Sequence, residues 1–159
     1  MRERADTCCF TGHRDISGVT YKTLADRTER LMLGLIRRNY RYFVCGGAVG
    51  FDTFAALMVL SLRKRGADIK LVLMLPCRDQ TAKWSDYDKA VYAQILSQAD
   101  EVIYCSEEYF PGCMQKRNRA MVDASSACIC YLTEPHGGTY QTAMYAREKG
   151  LAIVNVAND

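Results

Sequence analysis

The sequence predicts an α/β fold of three layers, αβα, around a mostly parallel sheet of about six strands, and three observations predict it. Six short runs of β-favouring residues alternate with five runs whose apolar residues recur at helical spacing. One of the six, Ile69 to Leu75, is apolar at every position but Lys70, as expected of a central parallel strand covered on both faces. Glycines gather where strand patterns give way to helix patterns, at Gly46-Gly47-Ala-Val-Gly50 and at Gly137-Gly138. The 159 residues contain no internal repeat, low-complexity segment or linker, so the chain reads as one domain, 1–159.

Thr7 to Thr11 is a first buried strand, which the opening Met-Arg-Glu-Arg-Ala-Asp enters directly and which breaks at Gly12-His13-Arg14. Tyr21 to Asn39 then sets Leu24, Leu31, Met32, Leu35 and Ile36 on one helical face. Tyr42 to Cys45 is the second strand. Thr53 to Leu62 is the second helix, closing near Arg63-Lys-Arg-Gly66 with cations in its last turn and glycine after it. The third strand stops at Pro76, where an irregular segment to Ser85 carries Cys77, Arg78, Gln80 and the single tryptophan, Trp84. Asp86 to Gln98 is a helix with Ala90, Val91, Ile95 and Leu96 as its stripe, and Glu101 to Cys105 is the fourth strand. Glu107 to Cys113 is a loop with Tyr109, Phe110, Pro111 and Gly112. The helix after it, Met114 to Ser125, opens with Lys116, Arg117, Asn118 and Arg119. Cations at a helix start oppose its dipole at about 0.3–1 kcal/mol each, which points to an anion that offsets them. Ala127 to Leu132 is the fifth strand, Glu134-Pro-His-Gly-Gly-Thr139 a second glycine turn, Tyr140 to Lys149 a helix, and Leu151 to Val156 the sixth strand.

Composition excludes several classes of function. Lys and Arg number 21 against 18 Asp and Glu, and a net charge of +3 does not by itself argue for a polyanionic partner. Eight cysteines without a signal peptide fit a reducing, cytoplasmic setting, where Cys8, Cys9, Cys45, Cys105, Cys128 and Cys130 act as small strand hydrophobes. With no C-x-x-C and only His13 and His136 as histidines, no metal site is expected, and no cofactor. No apolar run approaches the roughly 20 residues of a membrane span, so no membrane partner is expected.

In a parallel α/β sheet, ligands bind outside the carboxyl ends of the strands. Five segments lie there: Gly12-His13-Arg14, Gly46 to Asp52, Pro76 to Trp84, Tyr109 to Gly112 and His136 to Thr139. Glycines at strand-to-helix turns either satisfy backbone geometry alone or let bare N–H groups approach an anion at a helix N-terminus. Two such turns on one edge, the hydroxyl of Thr139, and Arg14, Arg117 and Arg119 together make a phosphate cradle. The spacing Gly46-Gly47-x-x-Gly50 is neither the dinucleotide fingerprint nor, lacking Gly-Lys-Ser/Thr, a triphosphatase loop. Asp52 either meets a ribose hydroxyl or holds its own glycine loop. Trp84 and Tyr109 either stack on a base or pack the loops. Asn118 and Asp123 are read as holding neighbouring loops, and His13 as a loop donor.

Five ordered motifs carry a family resemblance over nearly the whole chain: Phe10-Thr-Gly-His-Arg14, Cys45-Gly-Gly-Ala-Val-Gly-Phe-Asp52, Gln80-x-x-x-Trp84, Lys116-Arg-Asn-Arg-Ala-Met-Val-Asp123 and His136-Gly-Gly-Thr139. Together they resemble the YpsA-like branch of the SLOG superfamily, which includes the DNA-processing protein A proteins and the LOG cytokinin-activating phosphoribohydrolases. The resemblance implies a Rossmann-like fold and a pocket for a nucleotide or its derivative, formed by Gly12, Arg14, Gly46, Gly47, Gly50, Asp52, Trp84, Arg117, Arg119, Gly137, Gly138 and Thr139. It departs from the hydrolases at the second turn. Their Pro-Gly-Gly-x-Gly-Thr-x-x-Glu becomes His136-Gly-Gly-Thr-Tyr-Gln-Thr-Ala-Met144, without the third glycine or the glutamate. Three readings follow: a module that binds or senses a nucleotide-like phosphorylated small molecule, a nucleotide or nucleotide-sugar N-glycosidase with Glu134 or Asp52 as substitute carboxylate, and a weak single-stranded DNA binder. A homodimer is compatible with the sequence but not specified by it.

Overall fold

A computed structural model describes residues 2–158. Strands β1 (Thr7–Gly12), β2 (Tyr42–Cys45), β3 (Lys70–Leu75), β4 (Glu101–Tyr104), β5 (Ala127–Tyr131) and β6 (Ala152–Asn155) alternate with helices α1 (Tyr21–Arg37), α2 (Phe51–Lys64), α3 (Asp86–Gln98), α4 (Cys113–Asp123) and α5 (Gly138–Glu148). Every strand pairing is parallel, in the order β4-β3-β2-β1-β5-β6. The fold is a three-layer, Rossmann-like α/β sandwich with a wholly parallel sheet.

The chain steps outward from β1 to β4, then returns to the far side of β1 for β5 and β6. Right-handed crossovers turn that reversal into sidedness, with α1, α2 and α3 on one face and α4 and α5 on the other. Because strand side chains alternate, each face has its own core. Cys8, Phe10, Phe43, Cys45, Leu71 and Leu73 pack with Leu24, Met32, Phe54 and Val59 on the first face. Cys9, Val44, Val72, Met74, Cys128 and Cys130 pack with Met121, Val122 and Ala146 on the second. All of Leu71 to Leu75 is therefore buried, which accounts for the apolar run that follows the exposed Lys70 in β3. All eight cysteines are free thiols, and burial pushes those of Cys8 and Cys45 well above the ordinary thiol range.

Helix starts divide into two kinds. Thr20 and Ser85 cap α1 and α3, accepting from the N–H of Thr23 at 3.2 Å and of Asp88 at 3.1 Å. Gly50, Gly112 and Gly137 precede α2, α4 and α5 with positive φ and no side-chain cap. Several boundaries differ from the sequence reading. Arg4–Asp6 forms a 3-10 turn before β1, held by Asp6 accepting from the Glu3 N–H at 3.0 Å. Both α2 and α5 begin two residues earlier than apolar spacing indicates, because glycine supplies the turn that starts them. The first turn of α4 is Cys113-Met114-Gln115, so its cations lie beyond the positive end of the helix and call for no offsetting anion. Among the described residues no helix is long and apolar enough to cross a membrane.

Candidate functional site

β1 sends its connection to one face and β5 to the other, and in open parallel sheets ligand crevices form at the carboxyl ends of such strands. A cleft of about 430 Å³ opens there. After β1 it is lined by Thr11, Gly12, His13 and Arg14, after β2 by Ala48 and Asp52, and after β3 by Gln80 and Trp84. Helix α4 contributes Met114, Arg117 and Asn118, and α5 contributes Gly138 and Thr139.

The first glycine turn is filled by the protein itself. A Cβ on Gly46 would lie 2.7 Å from both Arg117 Nη1 and Asp52 Oδ2, and one on Gly47 would lie 2.5 Å from Leu75 Cδ2. Gly50 presses on the Arg14 backbone and Gly12 on the Phe51 ring, so these glycines serve close packing. The Ala48 N–H donates to Asp52 Oδ2 at 3.2 Å, and Thr53 Oγ1 donates to the Ala48 carbonyl at 2.9 Å. Arg117 is buried, its Nη1 donating to the carbonyls of Gly46 and, at 3.4 Å, of Met74, and its Nε to Asn118 Oδ1 at 2.8 Å. The Gly46 to Gly50 turn is thus occupied in part by the chain itself: Asp52 takes the Ala48 amide, and the Arg117 guanidinium takes the Gly46 carbonyl. Burial pushes the Asp52 carboxyl up to about 6, against the charge of Arg117 and the Ala48 N–H, which pull it down.

The second turn is open. A Cβ on Gly137 or Gly138 would meet nothing within 4 Å. The first amides of α5 have no intrahelical acceptor and no side-chain cap, so the positive end of this helix faces the cleft at Gly138 and Thr139. Gly137 sets the turn with φ of 92° but stands outside the cleft lining.

Other expected residues divide between cleft and surroundings. Arg14 is exposed on the lip of the cleft. Trp84 forms part of the wall, half-buried and edge-on to Tyr92 at 5.4 Å between centroids, whereas Tyr109 is 61% exposed and outside the lining. Arg119 also lies outside the lining, its Cζ 5.2 Å from the Tyr145 ring centroid. Positions two apart on a helix point in nearly opposite directions, which is why Arg117 and Arg119 do not share one phosphate. Glu134 is exposed, ion-paired to His136 at 3.0 Å and outside the cleft. Asp123 joins helices rather than loops, accepting from the Tyr145 hydroxyl at 2.7 Å. His13 accepts through Nε2, which takes the Thr133 N–H at 2.9 Å and ties the loops after β1 and β5 together. Thr11 and Met114 were not anticipated, and Ala48 and Gln80 only as members of segments at the sheet edge. Met114, Arg117 and Asn118 stand at i, i+3 and i+4, so helical spacing alone groups them on one face.

Among known proteins, the family described as the YspA SLOG family (YpsA) matches residues 8–152. The chain is 32% identical over 142 residues to the SPbeta prophage-derived protein YoqJ of Bacillus subtilis (strain 168), covering 81% of this chain and 83% of that protein. It is 27% identical over 124 residues to a UPF0398 protein of Halalkalibacterium halodurans, covering 77% of this chain and 65% of that one. With a UPF0398 protein of Levilactobacillus brevis it shares 26% identity over 95 residues, covering 60% of this chain and half of the relative's length, 50%. Among solved structures, DNA processing protein A from Helicobacter pylori, studied for its single-stranded DNA binding mode, superposes with a TM-score of 0.65. That match covers 94% of this chain and 64% of the other, and at 21% identity it concerns the fold alone.

Proposed function

The chain belongs to the YpsA SLOG family, and from that premise we propose that it binds or senses a nucleotide-like phosphorylated ligand in the cleft at the carboxyl edge of its sheet. The open N-terminus of α5 carries this reading: an uncapped helix start, clear of side chains at Gly138, beside the Thr139 hydroxyl. Arg14 on the opposite lip supplies a cation for the phosphate, and Gln80 and Trp84 supply an amide and a ring edge for the nucleoside. Binding is favoured over N-glycosidic cleavage by the placement of the two candidate carboxylates. Glu134 pairs with His136 outside the cleft, and Asp52 accepts from its own turn.

Calorimetry against the four common nucleoside 5′-monophosphates tests the reading. The parent is expected to bind at least one, and Gly138→Asp to lose at least tenfold in affinity. An acid in the first turn favours the helix by about 0.3–1 kcal/mol, so the variant stays folded while repelling phosphate. Equal binding by both proteins defeats the proposal.

A second reading, single-stranded nucleic acid on the same edge, draws on the Helicobacter pylori protein's binding mode and on four exposed aromatic residues. Tyr21, Tyr87, Tyr109 and Phe110 are 70%, 77%, 61% and 40% exposed, all in segments that follow the carboxyl ends of strands. The small net charge of +3 argues for weak, salt-sensitive binding. Submicromolar affinity for an oligothymidylate at physiological salt, read by anisotropy, would put this reading first.

A further inference from the structure

Beside the cleft, between α4 and α5, lies a smaller cavity of about 70 Å³. It shares Asn118 and Gly138 with the cleft, and its other walls include Gln115, Arg119, Gln141 and Tyr145. One water needs about 10–15 Å³ of such space, so the hole takes roughly five water-sized atoms, the size of a single phosphoryl group.

Its donors are oriented and uncommitted. Asp123 fixes the Tyr145 ring through the 2.7 Å bond from its hydroxyl, and the ring in turn supports the Arg119 guanidinium at 5.2 Å. Arg119 pairs with no carboxylate, and the side-chain amides of Gln115 and Gln141 make no hydrogen bond, among the described residues. Asn118 gives its Oδ1 to Arg117, which leaves its Nδ2 hydrogens to donate. A guanidinium and three amides around a hole without an acidic side chain in its walls are suited to a group whose periphery is acceptor oxygens.

We propose that this cavity is a second anion subsite, continuous with the cleft through Gly138, and that the ligand is a nucleoside diphosphate rather than a monophosphate. The inference rests on the nucleotide reading above. The first phosphoryl group sits at the start of α5, and the terminal one sits among Arg119, Gln115 and Gln141.

Calorimetry with matched pairs of nucleoside 5′-mono- and diphosphates, covering the four common bases, tests it. For the base that binds, the parent is expected to hold the diphosphate about tenfold more tightly than the monophosphate. In Arg119→Ala that ratio is expected to collapse to about one. Gln141→Leu, which replaces a lining amide with an apolar side chain of similar size, is expected to do the same, and an unchanged melting temperature in either variant removes unfolding as a cause. A parent ratio near one, or a ratio unchanged in both variants, overturns the second subsite while leaving the nucleotide site standing. Absence of binding by every mono- and diphosphate overturns both.

Discussion

Asp52 and Arg117 meet across the backbone of Gly46, where a Cβ would lie 2.7 Å from a side-chain atom of each. Asp52 is 7% exposed and Arg117 5%. The two charges belong to helices on opposite faces of the sheet, α2 and α4, and come together only because both reach its carboxyl edge. The first glycine turn is thereby clasped between them, whereas the turn at Gly138 faces open space.

Gly46→Ala is expected to destabilise the protein by about 1–3 kcal/mol, since the added methyl must displace one buried charged group or the other. For a chain of this size that lowers the melting temperature by roughly 2–4 °C per kcal/mol. Gly138→Ala is expected to be neutral or stabilising by up to about 1 kcal/mol, because its Cβ meets nothing within 4 Å and alanine suits a helix better than glycine. Thermal melts of the two variants beside the parent check the contrast, and equal melting temperatures would contradict the packing described at Gly46.

The Asp52 carboxyl makes stability depend on pH in a direction opposite to that of an ordinary salt-bridged acid. Its folded pKa is raised from 3.8 to about 6, so the folded state binds the proton more tightly than the unfolded chain does. The stability this group contributes is therefore fully present below about 3.8 and is lost as pH rises to about 6, with a slope of up to about 1.4 kcal/mol per pH unit. Urea unfolding of the parent and of Asp52→Asn between pH 4 and 7.5 isolates the effect. The parent's stability minus the variant's should fall through that window and level off above it, and a pH-independent difference would refute the assignment.

Incubation with nucleoside monophosphates is expected to release no measurable free base. Cleavage of an N-glycosidic bond needs a carboxylate beside the sugar, and general acid-base help of that kind contributes roughly 10²- to 10⁴-fold. The helical turn after Thr139 offers Thr142, Ala143 and Met144 instead. Chromatography of the products gives the answer. Turnover that disappears in Asp52→Asn or Glu134→Gln would show that one of these carboxylates does the work and would make the protein a hydrolase.

Much of the layout can be read in the sequence because it is a property of neighbours along the chain. Alternating period-2 and helical patterns mark the strands and helices, and an alternating α/β chain must bring the segments after its strands to one edge. Of the five segments set there on that ground, the cleft draws on Gly12-His13-Arg14, Gly46 to Asp52, Pro76 to Trp84 and His136 to Thr139, and not on Tyr109 to Gly112. Even the divergence of Arg117 from Arg119 follows from helical spacing alone.

Tertiary structure decided what each glycine and each charge is for. Gly46 and Gly138 look alike in sequence, yet one is closed by side chains from two other positions and the other faces open space, because a Cβ clash depends on atoms far away along the chain. The same holds for strand order. No local pattern says that β5 returns to the far side of β1, and that reversal both opens the cleft and places α4 and α5 together on the second face. Asp52 stands out in the sequence as a site residue, but its raised pKa arises only when folding removes water from it, against the opposing pull of Arg117.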